Sequence, residues 1–155
     1  MTGPRPTTRI FVDADACPVK DEVVRVAERH GLAVHMVSNS WMRLPDGPLV
    51  ERVVVADGPD AADDWIASRI GPADIAVTAD IPLAARCVKA GALAIGPTGR
   101  PFTEAGIGMA VAMRNLMAHL RETGESRGLN PSFTRNDRSQ FLQALEAAVQ
   151  AIKRQ

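Results

Sequence analysis

Two cysteines in 155 residues, no tyrosine, 4% aromatics and a formal net charge of zero exclude several classes of protein. Cys17 and Cys87 stand far apart, in neither a CxxC pair nor a Cys/His cluster. That pattern argues against a zinc module or a disulfide-built secreted scaffold and fits a reducing compartment. Modules that read single-stranded bases by stacking need several exposed rings, so with two Trp and four Phe such a module is not expected. No apolar run approaches the ~20 residues of a membrane span. The opening Met1-Thr-Gly-Pro-Arg-Pro-Thr-Thr8 lacks the apolar core of a signal peptide. A cytoplasmic protein is expected, with residues 1–8 a disordered tail and 9–153 a single domain; 46% hydrophobic and 23% charged residues suit a one-domain chain.

The zero net charge conceals an uneven distribution. Residues 1–99 hold 10 basic against 13 acidic side chains, and residues 100–155 hold 8 against 5. An asymmetry of this kind suits a surface that meets an anion at one end, although a few charges also distribute unevenly by chance.

Short apolar runs alternate with stretches of helical spacing. Arg9 to Asp13, Leu32 to Ser38, Arg52 to Ala56, Asp74 to Thr78 and Ala92 to Gly96 read as strands. Helices are expected from Pro18 to Gly31, from Ala61 to Ile70, from Pro82 to Ala90, from about Thr103 to Arg121, and from Asp137 to Ile152. Leu44-Pro-Asp-Gly-Pro48, Gly96-Pro-Thr-Gly-Arg-Pro101 and Thr123 to Pro131 are loops. Strand–helix alternation with apolar early strands predicts an α/β fold, a three-layer α/β/α sandwich around a mostly parallel sheet. In such folds every strand ends on the edge of the sheet where ligands bind.

The acids fall on that edge. Asp13 and Asp15 follow the first strand, Asp57 and Asp60 the third, and Asp80 the fourth, with Asp63 and Asp64 one turn into the next helix. Carboxylates gathered within ~4–6 Å repel one another and raise each other's pKa values, a cost that a hard divalent cation relieves. Mg²⁺ or Mn²⁺ is expected, because such sites need few carboxylates besides water and substrate phosphate. A plainer role competes at each position, since Asp60, Asp15 and Asp80 all stand where an N-cap would.

Val12-Asp-Ala-Asp-Ala-Cys-Pro18, Gly58-Pro-Asp-Ala-Ala-Asp63 and Thr78-Ala-Asp-Ile-Pro-Leu-Ala84, with Ser38-Asn39, Met113-Arg114-Asn115 and Asp137-Arg138, closely resemble the YaiI/YqxD family of bacterial proteins from about Arg9 to Val149. That family looks like a relative of the PIN-like nucleases. The resemblance implies a PIN-like fold with one or two Mg²⁺ or Mn²⁺ ions held by strand-end acids. By position it assigns metal ligation and catalysis to Asp13, to Asp60 or Asp63, and to Asp80, with Thr78 in the Thr-x-Asp motif and Asp15 as an extra acid. The chain departs from the family pattern at Arg127-Gly-Leu-Asn-Pro131 and at Asn136.

The activity so implied is hydrolysis of RNA or another nucleic acid, with bound metal activating water and stabilising the leaving oxygen. Asp13 and Asp80 would be direct ligands, Asp15 and Asp60 would complete the site, and Asp63 would support it or ligate in turn. Ser38, Asn39, Thr78, Arg114 and Arg138 are the candidate substrate contacts, joined in the basic half by Arg121 and Arg135. Cys17 near a helix start has the position of an activated thiol, but neighbouring acids oppose the thiolate and favour a packed structural role. Two other readings stay open. One is a phosphatase resembling the haloacid dehalogenases, with Asp13 as nucleophile and Ser38 in a second motif, although Lys89 follows Asp80 where a Lys should precede the final acids. The other is a non-catalytic metal- or nucleic-acid-binding regulatory module.

Overall fold

The computed structural model describes residues 7–55, 58, 60–108, 112, 116 and 133–154. Five strands, β1 (Arg9–Asp13), β2 (Ala33–Ser38), β3 (Val50–Val54), β4 (Ile75–Val77) and β5 (Leu93–Ile95), form one sheet in the order β3-β2-β1-β4-β5. All four neighbouring pairs are parallel. The helices are α1 (Lys20–His30), α2 (Ala61–Arg69), α3 (Ile81–Lys89) and α4 (Arg135–Lys153).

The side-chain alternation of β1 sets up three layers. Ile10 and Val12 point to the α1/α4 face, where Val23, Val26, Met36, Phe141, Leu145 and Val149 are buried. Phe11 points to the opposite face with Ile66 of α2 and Leu83 and Cys87 of α3. β1 is buried after Arg9 because it lies mid-sheet, whereas β3 is an edge strand with no fully buried residue. The expectation of a third strand at Arg52 to Ala56 is displaced by two residues. Val50 and Glu51 pair with Val34 and His35, so the parallel register starts earlier than the run of valines.

Gly31 ends α1 with φ +68, a left-handed conformation that a β-carbon disfavours. Pro18 precedes the first turn of α1 instead of forming it, and Val19 is the N-cap. α4 begins two residues earlier than Asp137 because Thr134 and Asp137 form a reciprocal capping box, worth about 1 kcal/mol. Of the helix expected from Thr103 to Arg121, residues 104–108 are helical. Asp57, Arg114, Arg121, His119 and the expected loop 123–131 lie outside the described residues. No helix among the described residues is long and apolar enough to cross a membrane.

Candidate active site

Chain order reverses between β1 and β4. From β1 the chain moves outward through β2 to β3, then returns to place β4 on the other side of β1. Such a switch point splays the loops leaving the two strands and opens a crevice beyond their C-terminal ends. Asp13 ends β1, and Thr78 and Asp80 follow β4.

A single hydroxyl joins them. Thr78 Oγ1 donates to Asp13 Oδ2 at 3.0 Å and accepts the Asp80 backbone N–H at 2.9 Å. Thr78 is buried and its one proton is committed to Asp13, so its expected role as a substrate contact gives way to one of positioning. Asp80 caps α3, accepting Leu83 N–H at 3.0 Å on Oδ1. Asp60 stands at the N-cap position of α2 but makes no side-chain cap bond, and Asp15 caps nothing. Asp15 instead accepts the Asn39 backbone N–H at 2.9 Å, tying the end of β1 to the end of β2.

The electrostatics single out two acids. Burial pushes the Asp13 carboxyl above its ordinary value against the pull of the Thr78 hydrogen bond; Asp15 and Asp80 push it further, and Lys20 opposes them. Asp63 is raised to about 6, first by burial and then by repulsion from Asp80, Asp13 and Asp60, with Arg86 opposing. Asp63 thus stands within electrostatic reach of Asp80, Asp13 and Asp60. Its neighbour Asp64 pairs with Arg86 at 2.8 Å.

The donor chemistry of Asp13, Asp63 and Asp80 fits a hard cation: oxygen only, partly desolvated and mutually repelling. Among the described residues no three such side chains, as they stand, close around one point. Mg²⁺ needs few protein ligands because it retains several waters.

The expected substrate contacts are placed less favourably. Ser38 is fully buried and donates to Ser40 O at 2.8 Å. Asn39 is exposed on the same edge. Arg138 Nη1 donates to Pro18 O at 2.9 Å and lies 3.3 Å from Glu22, with its guanidinium over Phe133, so it fastens α4 to the start of α1. Arg135 is exposed at the start of α4. Cys17 is buried and its thiol is pushed up by that burial, as a packed structural thiol requires. Lys20, whose ammonium donates to Cys17 O, went unnoticed in the sequence; its place at the first position of α1, five residues after Asp15, was the available signal.

Fold and site thus define a parallel α/β protein with a carboxylate-lined switch point. The chain belongs to the family described as uncharacterized BCR, YaiI/YqxD family, whose model matches residues 11–151. A UPF0178 protein of Parvibaculum lavamentivorans is 65% identical over 147 residues, covering 95% of this chain and 97% of the relative. Another, from Rhizobium meliloti, is 61% identical over 145 residues, covering 94% and 99%. No solved structure matches the chain.

Proposed function

We propose that the protein is a divalent-metal-dependent phosphodiesterase of PIN-like type that cleaves RNA or another nucleic acid at the carboxylate edge of its sheet. The observation that carries this reading is Asp13, an acid 8% exposed at the switch point, raised by burial and by neighbouring acids, with Lys20 opposing but no ion pair to it among the described residues. A structural carboxylate in that position would be neutralised by an Arg or Lys; one kept for a cation would not.

Asp13, Asp63 and Asp80 would hold Mg²⁺ or Mn²⁺, with Asp15 and Asp60 at the margin. When bound, the ion supplies a nucleophilic water at neutral pH and charge for the leaving oxygen. Thr78 fixes the Asp13 rotamer and, through the Asp80 N–H, the backbone that aims the second acid. Asp60, free of capping duty and exposed, stands at the rim. The parallel sheet and its strand-end acids are compatible with the PIN-like resemblance, and two free buried thiols suit a reducing cytoplasm.

The test is incubation with labelled single-stranded RNA, with and without Mn²⁺, beside Asp13→Asn. Cleavage that requires the metal and disappears in the variant is expected. Cleavage that persists undiminished in Asp13→Asn would overturn the assignment.

A further inference from the structure

The carboxylates provide nothing to hold a substrate's bases, and Arg86 and Arg138 are engaged with Asp64 and Glu22. A different set of groups lies on the loop between β2 and β3. Trp41 is 69% exposed, the most exposed of the large apolar side chains among the described residues. One face of its indole carries the Arg52 guanidinium, 4.9 Å from the ring centroid. Ser38, Asn39, Ser40 and Arg43 lie close to it in sequence.

Beside this loop, at the N-terminus of α1, opens a pocket of about 450 Å³ lined by Cys17, Pro18, Lys20, Asp21, Arg43, Leu44 and Pro45. It falls within the roughly 300–1,000 Å³ usual for small-ligand sites. Arg43 has no carboxylate partner among the described residues. The loop is anchored to the carboxylate edge where Asn39 N–H meets Asp15. An exposed indole with a cation behind it, next to an arginine that has no carboxylate partner among the described residues, is the pairing by which proteins hold unpaired bases and the phosphates between them.

We propose that Trp41, backed by Arg52, is a stacking platform for one unpaired base of a single-stranded nucleic acid whose phosphates run past Arg43 and Lys20 toward Asp15 and the strand-end carboxylates. This rests on the phosphodiesterase reading for its direction and names the substrate as single-stranded. One ring suffices because the platform only has to seat the strand; it does not read a sequence. That answers the scarcity of aromatics, which excludes a multi-ring reader.

The test measures binding without turnover. A fluorescently labelled single-stranded RNA of about ten nucleotides is titrated, in EDTA and at low salt, into the wild-type chain, Trp41→Ala, Trp41→Phe, Arg43→Ala and Asp13→Asn. Trp41→Ala is expected to weaken binding roughly 5- to 100-fold. Trp41→Phe should recover most of it, and Arg43→Ala should weaken it with a shallower salt dependence. Asp13→Asn should bind at least as well as wild type. Circular dichroism melts of all variants identify any that fail to fold, and Trp41→Phe retains the test if Trp41→Ala does. Equal binding by Trp41→Ala overturns the platform, as does equal affinity for the corresponding duplex. A concentration-dependent self-association lost in Trp41→Ala also overturns it, by making the ring a contact between copies. Cleavage is read separately: Trp41-independent binding with metal-dependent cleavage rejects the platform and keeps the enzyme, and Trp41-dependent binding without cleavage does the reverse.

Discussion

The two edges of the sheet treat a buried aspartate in opposite ways. At the N-terminal edge Asp74 is 3% exposed and accepts four hydrogen bonds: from Arg9 N at 3.1 Å, Nε at 3.3 Å and Nη2 at 2.8 Å, and from Gly71 N at 2.9 Å. Asp13, at the C-terminal edge of the same strand pair, accepts one side-chain hydrogen bond among the described residues, from Thr78, and faces other acids. The N-terminal edge also holds Glu146, drawn to about 2 chiefly by hydrogen bonds from His30 and Gln150, with Arg29 at 2.9 Å. Asp74 and Glu146 at one edge are satisfied and hold the fold together; Asp13 and Asp63 at the other stand among repelling acids.

Substitutions should separate the two. Asp74→Ala strands Arg9 and two backbone N–H groups, and is expected to cost about 2–4 kcal/mol in urea unfolding; a cost below about 0.5 kcal/mol would dissolve the contrast. Asp13→Asn keeps an acceptor for Thr78 and removes the repelling charge. Its stability should stay within about 1 kcal/mol of wild type, or rise, while calorimetry shows Mn²⁺ affinity falling by about 100-fold or more, beyond the loss usual for a group that only supports a ligand.

The smallest effect concerns pH. An acid raised on folding stabilises fully below its unfolded pKa and loses that contribution as pH rises through the folded one. For Asp63 the loss falls between its ordinary 3.8 and about 6. Glu146 runs the other way: its contribution is present above its ordinary 4.5 and is lost as pH falls toward about 2. Thermal melts across this range should show Asp63→Asn flattening the neutral limb, Glu146→Gln flattening the acid limb, and Mn²⁺ restoring at neutral pH what wild type loses there. A neutral limb unchanged in Asp63→Asn would remove the repulsion from the account.

Much of this architecture was legible in the sequence because hydrophobic period and chain punctuation are local. Gly31 ends α1 as its spacing predicts, and β1, β2, β4 and β5 lie within the apolar runs assigned to them. The location of the acids followed from the rule for parallel sheets. What each acid does was not legible, since capping depends on backbone angles that composition leaves open. Asp80, with ψ 112, caps its helix; Asp60, with ψ 1, does not, although both precede helices. The Thr78 bridge and the Arg9–Asp74 clamp join residues 65 positions apart, beyond the reach of any local pattern. Trp41 was counted as one of few aromatics when its exposure was the informative property.

That separation also sets a timetable. β1 pairs β2 across 24 positions, Arg9 with Ala33, so this half of the sheet has its partners early during synthesis. Both clamps on β1 must wait for β4, whose loop is longer and costs more entropy to close. A nascent chain that has not yet emerged through Asp80 holds half a sheet, an unbraced central strand and an incomplete carboxylate edge. The gathering of carboxylates at the switch point therefore comes into being in the same event that locks the middle of the sheet.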